Sequence, residues 1–130
     1  MVGIVIVSHS AKVADGIREM AIQMAKPKQK IMAAGGTSDG KIGTDALKIY
    51  EAIKAADTGS GVVIMVDLGS AILSTETALE LLEEDLRERV RIADAPILEG
   101  SISAVVQASL GGSLEEVLTV AKGSRDLPKK

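Results

Sequence analysis

An open α/β fold built on a parallel central sheet is what this sequence predicts, from two observations. Apolar runs alternate with amphipathic segments from one end of the chain to the other. Two of the runs, residues 2–7 and 62–66, are apolar without polar alternation, as strands covered on both faces are. Strand and helix alternating in this rhythm place helices on both sides of a parallel sheet. Right-handed crossovers then leave few strand orders. The expected architecture is an open three-layer sandwich with a four-stranded, mainly parallel sheet in the order 2-1-3-4.

The elements follow in turn. Residues 2–7 form the first strand. Val13, Ile17, Met20 and Met24 recur at helical spacing and are assigned to the core stripe of a first helix that stops before Pro27. Lys30 to Ala34 is a weaker second strand. Gly35 to Gly40 is a loop, followed by a helix that buries Ala46, Ile49, Tyr50 and Ile53, with Thr44 or Asp45 as its N-cap. Val62 to Val66 is the second central strand. A third helix shows Ile72, Leu79, Leu82 and Leu86 on one stripe, and Val90 to Ala93 is the last strand. From Glu99 the chain is helical, with one segment over 101–110 that stops at Gly111-Gly112. A final helix opens at Ser113 with capping-box spacing to Glu116. Residues 1–123 are one domain, and 124–130 are a flexible tail.

Composition removes several function classes. Tyr50 is the only aromatic residue and the net charge is −3, so neither stacking platforms nor a basic stripe is available for nucleic acid. With no cysteine there is no disulfide, thiol catalysis or thiolate metal site. The first apolar run is far too short to span a bilayer, and the expected setting is soluble and cytoplasmic. The mixed charges over 83–91 read as a solvated surface.

The single histidine, His9, closes the first strand. In a 2-1-3-4 sheet the first and third strands are neighbours, so His9 and Asp67 share the rim where strand order reverses, the place such folds keep ligands. A carboxylate that accepts the Nδ1 proton fixes the tautomer and leaves Nε2 as a nucleophile. Helix starts after Ser10 and near Ser70 favour a dianionic phosphoryl group. Ser8, Ser10 and Ser70 are candidate hydroxyl donors, and Gly69 allows close backbone approach. Thr37, Ser38 and Asp39 are candidate rim contacts. One imidazole without thiolates does not make a metal centre. Asp67 and the serines serve equally well as caps that satisfy orphan amides. A competing pattern is Gly35, four residues, Gly40 and Lys41, most of a phosphate-binding loop, with Asp67 imitating the acidic strand end. Ile42, however, occupies the position of the magnesium-binding hydroxyl.

Several segments together carry a resemblance: Gly3 to Ser10, Gly35-Gly36-Thr37, Asp39 to Thr44, Val66 to Ala71, and Ala95 to Gly100. They resemble the phosphotransfer subunits of phosphoenolpyruvate-dependent dihydroxyacetone kinases, whose domain is similar to mannose-family enzyme IIA. The resemblance runs from Met1 to about Ala121. It implies that His9 accepts a phosphoryl group from the phosphocarrier HPr and passes it to ADP on the nucleotide-binding kinase subunit. A third subunit would bind dihydroxyacetone. Asp67 matches the aspartate that accompanies the histidine. No cofactor is implied beyond the phosphoryl group itself, and a homodimer is implied. Some relatives carry HPr-like and enzyme I-like domains behind this one, so separate proteins are expected to supply phosphoryl groups here. The alternatives are a non-catalytic anion-binding regulatory module and a P-loop-like nucleotidase.

Overall fold

The computed structural model describes residues 1–130. Four strands, β1 (Gly3–Ser8), β2 (Ile31–Gly35), β3 (Val62–Val66) and β4 (Val90–Ala93), form one sheet in the order β2-β1-β3-β4. All three pairings are parallel. Six helices connect and follow them: α1 (Ala11–Ile22), α2 (Ala46–Ala56), α3 (Gly69–Leu81), the short α4 (Glu84–Arg87), α5 (Ile97–Ser109) and α6 (Leu114–Gly123). The predicted order and layering are those observed.

β1 and β3 are apolar along their length because helices cover both faces. Ile4, Ile6, Val63 and Met65 pack with α1, α5 and α6, whereas Val5, Val7, Ile64 and Val66 pack with α2 and α3. The register sets Val7 beside Val66, so the carboxyl ends of β1 and β3 finish side by side. That adjacency positions everything functional.

The helix faces differ from expectation. In α1 the buried residues are Ala14, Ile17 and Ala21, while Val13 and Met20 are exposed, as is Met24, which lies beyond the helix end at Ile22. Small side chains win the inner face because the helix lies close to the sheet. A Cβ on Gly35 would stand 2.9 Å from Ala14 Cβ and 2.6 Å from the Ser10 carbonyl. The same holds in α3, where Ala71, Thr75 and Ala78 are buried and Ile72 and Leu79 flank them. The helix ends at Leu81, so Leu86 belongs to α4 rather than to the α3 stripe. α5 begins four residues ahead of Ser101, at Ile97 after Pro96. The capping box at Ser113 and Glu116 is present, and Asp45 caps α2 through Leu47 N–H.

The 83–91 run is not simply a solvated surface. Arg87 donates to the Leu79 and Leu82 carbonyls at the end of α3, and Arg89 grips Asp57 with two nitrogens, at 3.1 and 2.7 Å. Residues 124–126 form a 3₁₀ turn with Ser124 buried, and Arg125 pairs with Asp94 at 3.2 Å. No helix is long and apolar enough to cross a membrane.

Edge strand β2 is guarded by cations. Ile4 N–H reaches Lys30 O, and Gly36 N–H reaches Ser8 O, so the alternate residues Ile31, Ala33 and Gly35 turn their backbone groups outward. Arg18 caps the Ile31 carbonyl at 2.6 Å and Lys48 caps the Gly35 carbonyl at 3.1 Å. Two of the acceptors that would recruit a foreign strand are thereby occupied.

Hydrogen bonding to Arg89 holds the Asp57 carboxyl below its ordinary value, against the opposing effect of burial. A depressed folded-state value adds stability above the unfolded value and loses it as pH falls through the folded one. Urea midpoints measured from pH 7 down to 3 should therefore decline for the wild type. Asp57→Asn should start lower and decline less steeply, and parallel curves would show that the pair contributes nothing.

Candidate functional site

His9 follows the last residue of β1, and Asp67 follows the last residue of β3. Their side chains meet across the strand boundary: Nδ1 of His9 lies 2.9 Å from Asp67 Oδ1. Asp67 accepts three further hydrogen bonds, from His9 N–H at 2.9 Å, Ser8 Oγ at 2.9 Å and its neighbour Leu68 N–H at 2.8 Å. Burial pushes the carboxyl up, but the hydrogen bonds from the His9 amide, the His9 ring, Ser8 and Leu68 outweigh it and hold it below the usual carboxylate value. An ionised carboxylate only accepts, so the proton on Nδ1 belongs to the ring. In the neutral imidazole that leaves a lone pair on Nε2, which faces Ser70 Oγ at 2.6 Å.

Two helices begin here. α3 has Leu68 as its N-cap with no side-chain cap bond, and the Gly69 and Ser70 amides have no acceptor within the protein. α1 starts after Ser10, whose hydroxyl takes Val13 N–H at 3.3 Å, leaving the Ala11 and Lys12 amides without acceptors. Free N–H groups at a helix start attract anions. A Cβ on Gly69 would meet nothing within 4 Å, so the protein's own packing does not require glycine there, and the bare backbone leaves room for an incoming group.

The sequence-predicted residues separate into two sets. His9, Asp67, Gly69 and Ser70 converge. Ser8 is fully buried and spends its proton on Asp67, so it anchors the carboxylate rather than facing a phosphoryl group. Ser10 is occupied as the α1 cap but stays partly exposed. Thr37 and Asp39 bond to each other and close their own loop, with Thr37 N–H on Lys41 O at 2.9 Å. Ser38 lines a groove of about 690 Å³ beside β2, together with Asp15, Asp45, Lys48 and Glu51. Lys41 points into solvent toward Asp39 at 3.6 Å, and no helix starts until Ala46. The strand–loop–helix geometry of a P-loop is therefore missing, and Asp67 is committed to His9 rather than to a metal.

Sequence reasoning overlooked the fastening of the 36–44 loop. Gly43, with φ of 146°, donates its amide to the His9 carbonyl at 2.8 Å. Thr44 Oγ1 meets Ser74 Oγ of α3 at 2.6 Å, and Lys48 Nζ joins the Gly35 and Thr37 carbonyls at 3.1 and 3.0 Å. One signal was readable: a lysine in the first turn of α2 opposes the helix dipole, which asks for a compensating contact. The Thr44–Ser74 pair carried no such signal.

The family model described as PTS system fructose IIA component, EIIA-man, matches residues 3–118. The chain belongs to this family. Among EIIA-man relatives, the phosphoryl donor subunit DhaM of dihydroxyacetone kinase 2 from Listeria innocua is 45% identical over 118 residues, covering 91% of this chain and 94% of that protein. The DhaM subunit of Providencia stuartii is 45% identical over 125 residues, covering 94% of this chain. The chain spans only 26% of that longer protein. The crystal structure of the protein EF1359, of unknown function, superimposes with a TM-score of 0.82 at 40% identity, covering 94% of both chains.

Removing the carboxylate should have two separable effects. Asp67→Ala orphans the buried Ser8 hydroxyl and the His9 amide, and should lower stability by about 1–3 kcal/mol in urea titration. Asp67→Asn still offers one acceptor and should lose less. Both should slow chemistry at His9 by about 10²–10⁴-fold, and an unchanged rate would reduce Asp67 to a turn cap.

Proposed function

We propose that this domain is a phosphohistidine relay, the phosphoryl donor subunit of a dihydroxyacetone kinase. His9 takes a phosphoryl group from HPr and delivers it to ADP held on the nucleotide-binding subunit. The observation that carries the reading is the polarised ring: an anchored carboxylate on Nδ1, with Nε2 at an uncapped helix start. The names of the relatives support the substrate class.

In the forward step the Nε2 lone pair of His9 attacks phosphorus. The P–N bond of the donor breaks, and its imidazole leaves with the bonding electron pair. Nδ1 keeps its proton throughout, and Asp67 stabilises the positive charge that develops on the ring. Ser70 releases Nε2 and turns its hydroxyl to a phosphoryl oxygen, while the Gly69 and Ser70 amides face the charge. Ser10 is a further donor on the α1 side. In the return step phosphorus passes to the terminal oxygen of ADP, and the imidazole of His9 is the leaving group. The working form is a cytoplasmic homodimer, for which Val13 and Met20 of α1, Met24 just beyond it and Val106 of α5 leave apolar surface free.

Incubation with phosphoenolpyruvate, enzyme I and HPr, read by intact mass, should add one acid-labile phosphoryl group. His9→Gln should abolish the gain while keeping the fold. The label should reach dihydroxyacetone only after the nucleotide-binding and substrate-binding subunits are added. A wild-type gain on His9→Gln would refute the assignment. Calorimetry should also find no magnesium-dependent ATP binding, since micromolar binding would restore the nucleotidase reading.

A further inference from the structure

His9 is held at both ends of its backbone. Its amide donates to Asp67 at 2.9 Å, and its carbonyl accepts from the Gly43 amide at 2.8 Å. The end of β3 and the 36–44 loop thus grip one residue from two sides. No side chain is tolerated at position 43, where φ is 146° and a Cβ would stand 2.7 Å from Thr37 Cγ2. Residues 42–44 make one further hydrogen bond, the contact of Thr44 Oγ1 with Ser74 Oγ of α3 at 2.6 Å. Lys48 fastens the loop at Gly35 and Thr37, earlier in the chain, and so does not replace that contact.

Helix α3 closes the circuit. Ser70 and Ser74 are four residues apart and lie on one face of the helix. The first meets His9 Nε2 at 2.6 Å, and the second meets Thr44. A continuous path therefore runs from the ring through Ser70, along α3 to Ser74, across to Thr44 and Gly43, and back to the His9 carbonyl. A phosphoryl group arriving on Nε2 must displace Ser70 and open the first of these links. The Thr44–Ser74 pair then remains as the tie between the loop that holds His9 and the helix whose free amides face the charge.

We propose that Thr44 and Ser74 are positioning residues of the relay, a hydroxyl strut that keeps the start of α3 in register with Nε2 after Ser70 has left the ring. The inference rests on the relay reading and adds the residues that hold its geometry. Neither hydroxyl touches the ring, and Asp67 keeps its own bond to Nδ1, so the strut acts through distance and leaves the protonation of the imidazole alone. Distance is enough, since displacing a reacting group by about 1 Å can slow a reaction by about 10²-fold.

The test charges the full chain with phosphorylated HPr and compares Thr44→Val, Ser74→Ala, the double variant and the conservative Thr44→Ser. Both side chains are half-buried, so urea midpoints should stay near that of the wild type. In each single variant kcat for labelling His9 should fall about tenfold while KM stays within about twofold, the pattern of misplacement rather than lost binding. The double variant should fall no further, because either substitution removes the same contact. Thr44→Ser should recover most of the rate, and the pH midpoint of kcat should not move. A wild-type kcat in Thr44→Val or Ser74→Ala overturns the strut. So do losses that multiply in the double variant, a change in KM alone, a moved pH midpoint, or no rescue by Thr44→Ser. Failure of phosphorylated HPr to label wild-type His9 would instead overturn the relay reading, and hydrogen exchange at the Gly43 amide then decides the strut. Faster exchange in Thr44→Val at an unchanged urea midpoint supports it, and an unchanged exchange rate overturns it.

Discussion

The Asp67 carboxylate is the tie on which the rest of the site depends. It receives the last hydroxyl of β1, the next backbone amide, the His9 ring and the amide that begins the turn into α3. Two strand ends, one imidazole and one helix start are thereby fixed to two oxygen atoms. Only a parallel pairing that finishes β1 and β3 at the same level brings these groups within reach. Such a carboxylate serves structure and chemistry at once, because the bonds that keep it ionised also fix the ring tautomer.

A second constraint acts from the β2 side. Gly35 lets α1 start against the strand end, and Lys48 then holds the carbonyls on either side of the turn. The same lysine shields the sheet edge and steadies the loop whose Gly43 amide fixes the His9 backbone. Fold protection and site geometry thus share a residue. This explains how a loop rich in glycine, threonine and aspartate is fastened to the sheet edge and to α3.

Strand order, the His9–Asp67 pairing and the helix-start environment were all legible in the sequence. Each follows from a run of β-branched residues ended by a polar one, together with crossover handedness. The inner faces of α1 and α3 were not. Hydrophobicity favoured Val13, Met20 and Met24, whereas the close approach of helix to sheet selects Ala14, Ala21, Ala71 and Ala78, a steric preference that periodicity alone does not reveal. The bond from Ser8 to Asp67 is hidden from the sequence for a related reason. Strand alternation turns its side chain inward, toward a carboxylate 59 positions away. The capping roles of Arg18, Arg87 and Lys48 depend on carbonyls whose direction exists only once the sheet and helices are assembled.

The proposed relay makes one claim about the ring, resting on its geometry: Nε2 is the reacting atom, and Nδ1 keeps its proton and donates it to Asp67. Nitrogen-15 NMR of the single imidazole, before and after phosphorylation, tests it most directly. The account predicts a neutral ring protonated at Nδ1 in the free protein, and phosphorus coupled to Nε2 in the charged one. Phosphorus on Nδ1, or a free ring protonated at Nε2, would contradict it.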